Sequence, residues 1–378
     1  MKIVRRPFGK EVEVSLFTLG TMRALESSEA MYAVVKEACL AGINHIETSP
    51  SYGPAQKFLG ESLQKLRFHK INPQNGWVVT SKILPGITFS EGQRQLQQTL
   101  VDIGIPKIDN LAVHGLNLPE HLTWALHGDG IKLIQWAKEK NLIAQFGFTS
   151  HGDQSLIEKA IKSRQFNFCS LHLHLLDQGR LHLSKLALNQ DMGVMAISPA
   201  DKGGHLHTPS QTLIKDCSPI SPIELAYRFL LAQGVSTLTL GANKPEELSI
   251  AKKLVAANGQ LTKAEEASMN RLYQEGKRRL GDTLCGQCRE CIPCPNNVPI
   301  PEILRLRNLS IGHDLTSFSK ERYNLIGKAG HWWEEVDASA CKKCGDCLPR
   351  CPNHLKIPDL LEQTHHHLLD RPKRRLWG

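Results

Sequence analysis

From Val14 to Asn258, short runs rich in β-branched residues alternate with amphipathic stretches of helical period, and this alternation narrows the possible folds more than any other feature. Strands separated by helices must lie parallel, because each helix carries the chain back to the edge where the next strand begins. Eight strands are predicted, at about Val14 to Gly20, Asn44 to Thr48, Trp77 to Lys82, Asn110 to His114, Ala144 to Phe148, Phe168 to His172, Gly193 to Ile197 and Thr237 to Leu240. Between them, Ser28 to Ala41 sets Met31, Val34, Val35 and Ala38 on one face, and Asp129 to Lys140 does the same with Leu133, Ile134 and Ala137. Eight βα units in roughly 250 residues is the size of an α/β TIM barrel, (β/α)8. A doubly wound open sheet is the alternative; the absence of G-x-G-x-x-G after the first strand counts against it.

The cysteines divide the chain differently. Cys39, Cys169 and Cys217 are isolated and read as buried small hydrophobes, whereas eight more fall in two groups beyond residue 284. The helical stretch Thr262 to Leu280, closed by Gly281-Asp282, precedes them. This gives a barrel domain over residues 1–275 and a smaller, mainly helical domain over 276–378. The second group, Cys341-x2-Cys344-x2-Cys347-x3-Cys351-Pro352, has the ligand spacing of bacterial [4Fe-4S] ferredoxins. The first, Cys285-x2-Cys288-x2-Cys291-x2-Cys294-Pro295, is one residue shorter before its last cysteine. Paired C-x2-C units also make zinc sites, but a third cysteine at the same spacing and the closing Cys-Pro favour two [4Fe-4S] clusters.

Helix-like stretches at Pro301 to Leu309 and Ser319 to Lys328 separate the groups, and Val298-Pro299-Ile300-Pro301 and Leu355-Lys356-Ile357-Pro358 follow the two Cys-Pro pairs. In these features the segment resembles the α-helical ferredoxin family, which implies few strands. In the two-cluster arrangement the fourth cysteine of each run crosses over, giving Cys285, Cys288, Cys291 and Cys351 to one cluster and Cys341, Cys344, Cys347 and Cys294 to the other. Trp332 and Trp333 read as core residues of this domain.

The formal charge of +9 comes from 46 basic residues scattered among 37 acidic ones, so no nucleic-acid partner is expected. The basic tail Arg371-Pro372-Lys373-Arg374-Arg375 reads as a solvated end, and an acidic redox partner protein would also suit it. The N-terminal residues form no apolar signal core, and no segment has the roughly 18 apolar residues of a membrane span. A cytoplasmic protein with reduced, metal-binding thiols is the expectation.

Polar residues at the C-terminal ends of barrel strands are the catalytic candidates. Consecutive strands and the loop between them deliver Glu47, Tyr52, Lys82 and His114 to one rim. The stretch Glu47-Thr48-Ser49-Pro50-Ser51-Tyr52-Gly53 resembles the D-T-A-x-x-Y-G of the aldo/keto reductase family. Ala41-Gly42-Ile43-Asn44, Thr80-Ser81-Lys82 and Val113-His114 are also similar to that family's pattern, and the resemblance covers about residues 12–258. It implies a small carbonyl substrate, Tyr52 as proton donor with its pKa lowered by Lys82, Glu47 holding Lys82, and His114 orienting the carbonyl. Glu47 departs from the family's aspartate by one methylene.

The same resemblance implies NADP(H). It sets Gly20-Thr21-Met22 beside the nicotinamide, Thr149 and Ser150, followed by His151, at its amide, and Ser198-Pro199 through Gly203-Gly204 over the pyrophosphate. Gly241-Ala242-Asn243 would meet the adenosine phosphate, with Lys244 on a 2′-phosphate. Ile197 occupies the place of the usual aromatic partner of the nicotinamide. A hydride carries two electrons and a [4Fe-4S] centre exchanges one, so a flavin bridge stays open although no flavin motif is evident. The leading expectation is an NADPH-dependent carbonyl oxidoreductase with an electron-transfer module. The alternative is a redox-sensing or binding protein on a retained barrel. The histidines of Leu171-His172-Leu173-His174 read as strand alternation and His365-His366-His367 as helix surface rather than as metal ligands.

Overall fold

A computed structural model describes residues 3–257, 259–328 and 336–370. Trp332, Trp333 and the basic tail from Arg371 lie outside the described residues. The chain divides into two compact units, Met1–Pro199 with Tyr227–Gln260, and Ala200–Ala226 with Leu261–Gly378.

The first unit begins with an antiparallel hairpin, β1 (Arg5–Pro7) and β2 (Glu13–Ser15). Eight parallel strands follow: β3 (Phe17–Gly20), β4 (His45–Glu47), β5 (Val78–Ile83), β6 (Ile108–Val113), β7 (Ile143–Ser150), β8 (Phe168–His172), β9 (Gly193–Ile197) and β10 (Thr237–Gly241). They close in chain order, with β10 pairing β3, so the sheet is a TIM barrel and not an open one. The first expected strand is in fact two. The Ser15 N–H is taken by Asn44 Oδ1 at 2.7 Å and its hydroxyl donates to the Phe17 carbonyl at 2.7 Å, which ends the hairpin strand and bends the chain into β3.

Helices α1 (Ser28–Leu40), α2 (Ala55–Phe68), α3 (Phe89–Ile103), α4 (Pro119–His127), α5 (Asp129–Glu139), α6 (Gln154–Lys162) and α7 (Leu181–Leu188) alternate with the strands. Ser27 caps α1 by accepting the Ala30 N–H, and the helix buries Met31, Val34, Val35 and Ala38, the stripe read from the sequence. Thr88 and Glu91 form a capping box on α3, which Gly104 ends in the left-handed conformation at φ 67°. After β9 come α8 (Gln211–Cys217) in the second unit, α9 (Pro222–Ala232), and α10 (Ser249–Leu254) beyond β10.

Phe8, in the hairpin's turn, is fully buried at the strand starts with Val14, Ala112, Phe168 and Met195. Above it runs a hydrogen-bonded polar belt inside the barrel. Thr237 bonds Thr18 at 2.8 Å, Thr18 bonds His45 Nδ1 at 2.7 Å, and His45 Nε2 bonds Thr80 at 2.7 Å. Asn110 donates to Thr80 and Gln145 to Asn110, each at 3.1 Å. Every member is buried, and apart from Gln145 Oε1, which has no hydrogen-bond partner among the described residues, the belt satisfies groups that would otherwise be costly in a dry interior.

The second unit is helical, with α11 (Lys263–Leu280), α12 (Ile300–His313), α13 (Thr316–Tyr323) and α14 (Ile357–Leu368) joining α8; no strand occurs among its described residues. A capping box of Thr262 and Glu265 starts α11. Near its end Arg279 clasps the buried Asp216 carboxylate through two bonds of 2.6 and 2.8 Å.

Candidate active site and cysteine module

Alternation along a strand puts His45 and Glu47 on the same face of β4, and Thr80 and Lys82 on the same face of β5. The polar belt therefore forms one layer, and Glu47 and Lys82 lie a step nearer the C-terminal mouth. Glu47 Oε1 is in contact with Lys82 Nζ, and both side chains are buried. The longer carboxylate thus still reaches the lysine. The Lys82 ammonium also donates to the Thr48 carbonyl at 3.1 Å and to Tyr52 Oη at 2.9 Å, so its three protons have three acceptors. His114 follows β6 and meets the Tyr52 ring edge-on, with centroids 5.8 Å apart. Its Nδ1 lies 3.1 Å from Ser49 Oγ. The four expected residues are together, and Ser49, within the quoted motif but not singled out from the sequence, touches one of them.

The electrostatics differ from expectation at Tyr52. Burial pushes its phenol up to about 12, outweighing the cation beside it. Burial also drives Lys82 well below the usual lysine range, while the Glu47 carboxylate in contact favours its charged form. Burial and the Lys82 charge lower His114 to about 4, so its imidazole is neutral at pH 7.

The expected cofactor residues are placed unevenly. Gly20 and Gly241 pair in register on β3 and β10, the Arg23 side chain lies against Gly241, and Met22 is 45% exposed nearby in sequence. Thr21 is buried, its hydroxyl donating to Thr48 at 2.9 Å. Thr149 and Ser150 end β7, but their hydroxyls are engaged by the loop after β6: Thr149 Oγ1 accepts the Gly115 N–H at 2.9 Å and Ser150 donates to the Leu116 carbonyl at 2.6 Å. Ser198 follows β9 with φ 51°, Pro199 ends that stretch of the first unit, and Gly203 belongs to the second. Ala242 is buried, while Asn243 and Lys244 are exposed beside the 3-10 turn Pro245–Leu248. The Asn243 N–H is taken by the Glu247 carboxylate at 2.9 Å, where an anion would bind. His151 and His172 are in contact, ring centroids 4.3 Å apart.

None of the eight late cysteines of the second unit is in a disulfide. Cys294, Cys341, Cys344 and Cys347 line one hollow. Burial pushes up the Cys285 thiol, with Cys288 and Cys351 near enough to add to the effect, and pushes Cys291 up to about 12, with Cys285, Cys288 and Cys347 adding to it. Among the described residues no three His, Cys, Asp or Glu side chains gather as the ligands of a metal ion.

The two cysteine runs repeat one backbone design. Gln287 and Lys343, two residues after the first cysteine of each run, are left-handed at φ 58° and 54°. Arg289 and Gly345, one after the second cysteine, are left-handed too, as are Asn297 and His354, three after the last. Each run then passes through a tight turn, Val298 O to Ile300 N–H and Leu355 O to Ile357 N–H at 2.8 Å, into α12 or α14. Asn308 on α12 ties down the first run through the Cys285 carbonyl at 2.8 Å. Tyr323, bonded to His365 of α14 at 2.7 Å, accepts the Ala338 N–H before the second.

The aldo/keto reductase family profile matches residues 17–274. Among solved structures, an aldo-keto reductase from Bacillus halodurans in its holo form has a TM-score of 0.60 at 17% identity, covering 71% of this chain and 96% of that one. One from Brucella melitensis has a TM-score of 0.56 at 16% identity, covering 71% and 100%. No curated protein matches the sequence. Likeness at such identities speaks for the fold, and the family match spans well over half of the residues. With the closed barrel bearing Glu47, Tyr52, Lys82 and His114 at its mouth, the chain belongs to the aldo/keto reductase family and is an NAD(P)H-dependent oxidoreductase of that type.

Proposed function

We propose that the barrel reduces a small carbonyl compound with NADPH while the C-terminal unit carries two [4Fe-4S] clusters. The observation that carries the first part is the 2.9 Å hydrogen bond from Lys82 Nζ to Tyr52 Oη. Because the phenol oxygen accepts from the ammonium, its own proton is left for a substrate oxygen. When bound, the reduced nicotinamide supplies the hydride. Tyr52 gives its proton to the oxygen as negative charge develops there, and Lys82, held by Glu47, stabilises the phenolate left behind. Neutral His114 donates to the same oxygen. Gly20, Thr21 and Met22 would border the nicotinamide. Exposed Lys244 supports NADPH over NADH, provided Glu247 yields the Asn243 N–H.

For the clusters the support is the donor set and the repeated backbone. Cys294, Cys341, Cys344 and Cys347 line one hollow, the set expected for one of the two clusters. Left-handed residues flank Cys288 and Cys344 on both sides, a local backbone conformation of the kind that makes anion-binding nests. Cys285, Cys288, Cys291 and Cys351 would hold one cluster and Cys341, Cys344, Cys347 and Cys294 the other. We place the domain boundary near residue 275, the protein in the cytoplasm, and a redox partner protein or a flavin among the routes for matching two-electron to one-electron chemistry. No helix among the described residues is long and apolar enough to cross a membrane.

A second reading, a redox-sensing or binding protein, draws on Glu247 occupying the expected phosphate position and on the engaged hydroxyls of Thr149 and Ser150. Anaerobically purified protein, assayed for iron, acid-labile sulfide and NADPH oxidation with aldehydes and quinones, separates the two. Tyr52→Phe should lower turnover by roughly 10²–10⁴-fold with NADPH binding retained. Nucleotide binding without any turnover in the parent protein would favour the sensor.

A further inference from the structure

We infer that Ser49 is a positioning residue that sets the tautomer of His114, keeping its proton on Nε2. The inference rests on the carbonyl-reductase reading above for its catalytic meaning, but on separate atoms for its evidence. Ser49 is fully buried, and its Oγ makes two contacts. It accepts the Ser51 N–H at 3.1 Å, and it lies 3.1 Å from His114 Nδ1. The first contact fixes the oxygen as an acceptor, which leaves the hydroxyl proton to be placed. Nδ1 is the acceptor within reach among the described residues. Were Nδ1 protonated, Oγ would accept twice and its own proton would be buried without a partner, a costly arrangement.

With Nδ1 accepting, a neutral imidazole carries its single N–H on Nε2. That atom makes no hydrogen bond among the described side chains and is therefore free for a substrate oxygen. Burial and the neighbouring Lys82 keep the ring neutral, so it has one proton to place, not two. The edge-on contact with the Tyr52 ring, at 87° between planes, limits rotation of the imidazole. A residue that the family pattern leaves as alanine, and so unable to bond, here supplies a hydroxyl at this position. Nothing in the pairing of Glu47, Lys82 and Tyr52 depends on it.

Histidine-selective ¹⁵N spectra of the intact protein, with His114→Gln used to identify the resonances, test the assignment directly. Nδ1 of His114 should appear as an unprotonated, hydrogen-bond-accepting nitrogen at pH 7. Ser49→Ala should move that resonance and lower kcat for carbonyl reduction roughly tenfold, with NADPH affinity unchanged. Ser49→Thr, which keeps the hydroxyl, should restore both. A protonated Nδ1 in the parent protein, or a resonance unmoved by Ser49→Ala, would overturn the inference. A parent protein that turns over no carbonyl would sink the underlying reading instead, while the nitrogen spectrum still decides the role of Ser49.

Discussion

The two units use the same unusual backbone conformation for different ends. In the barrel, left-handed non-glycine residues such as Lys70, Asn141, Arg164 and Asp191 lie just beyond helices, where they end α2, α5, α6 and α7. In the second unit Asp314 likewise ends α12, but Gln287, Arg289 and Lys343 carry it inside the cysteine runs, and Asn297 and His354 just beyond them. Such residues cost about 1 kcal/mol or more each, and they persist where surrounding contacts over-determine them. A closed sheet with an apolar core supplies those contacts unaided. In the second unit Asn308 and Tyr323 supply some of them, and the proposed clusters would supply the rest.

Cutting one ligand tests that contrast most severely. Cys347→Ser should halve the iron and sulfide of anaerobic protein and expose residues 281–360 to protease, yet leave barrel unfolding unchanged; a resistant second unit in metal-free protein would break the comparison. Next in size is the acid response of the barrel. Burial lowers His45 to about 3, against an ordinary value of 6.5. The unfolded chain thus takes up a proton below pH 6.5 that the folded barrel refuses until about pH 3. Stability should fall by up to roughly 1.4 kcal/mol per pH unit as pH drops through that window. Melts of His45→Asn across pH 3–7 should show a flatter slope, and an identical slope would remove His45 as the source. The smallest effect belongs to a helix cap. Thr262→Ala removes the capping box of α11 and should destabilise the second unit by about 1 kcal/mol without moving the barrel transition, as followed by hydrogen exchange.

What could be read from the sequence was whatever depends on period. Phe168–His172 and Gly193–Ile197 appear as expected, since short, mainly apolar runs placed between helical stretches leave little latitude. The tetrad was readable because four chemically different groups recur at strand ends, and the cysteine runs because spacing alone describes them. The N-terminal hairpin was not, since Arg5-Arg6-Pro7 has no alternation and pairs through its backbone. The polar belt escaped because Thr18, His45, Asn110 and Gln145 look like outward residues until the barrel closes around them. Helices α4 and α8 lie within Leu116 to Gly130 and His205 to Ser221, stretches readable only as loops. Nor could residue types alone reveal that desolvation would outweigh the lysine charge at Tyr52, because that balance depends on how deeply the phenol sits.

The belt beneath the tetrad also limits what can act on it. His45 remains uncharged to about pH 3, and its neighbours are hydroxyls and amides, so the underside of the Glu47–Lys82 pair is electrically silent over the range in which cells live. Phe8 lies fully buried in an apolar cluster with Val14, Ala112, Phe168 and Met195, which adds no charge there. Charge brought to the tetrad by coenzyme or solvent would therefore act on that pair against an uncharged background.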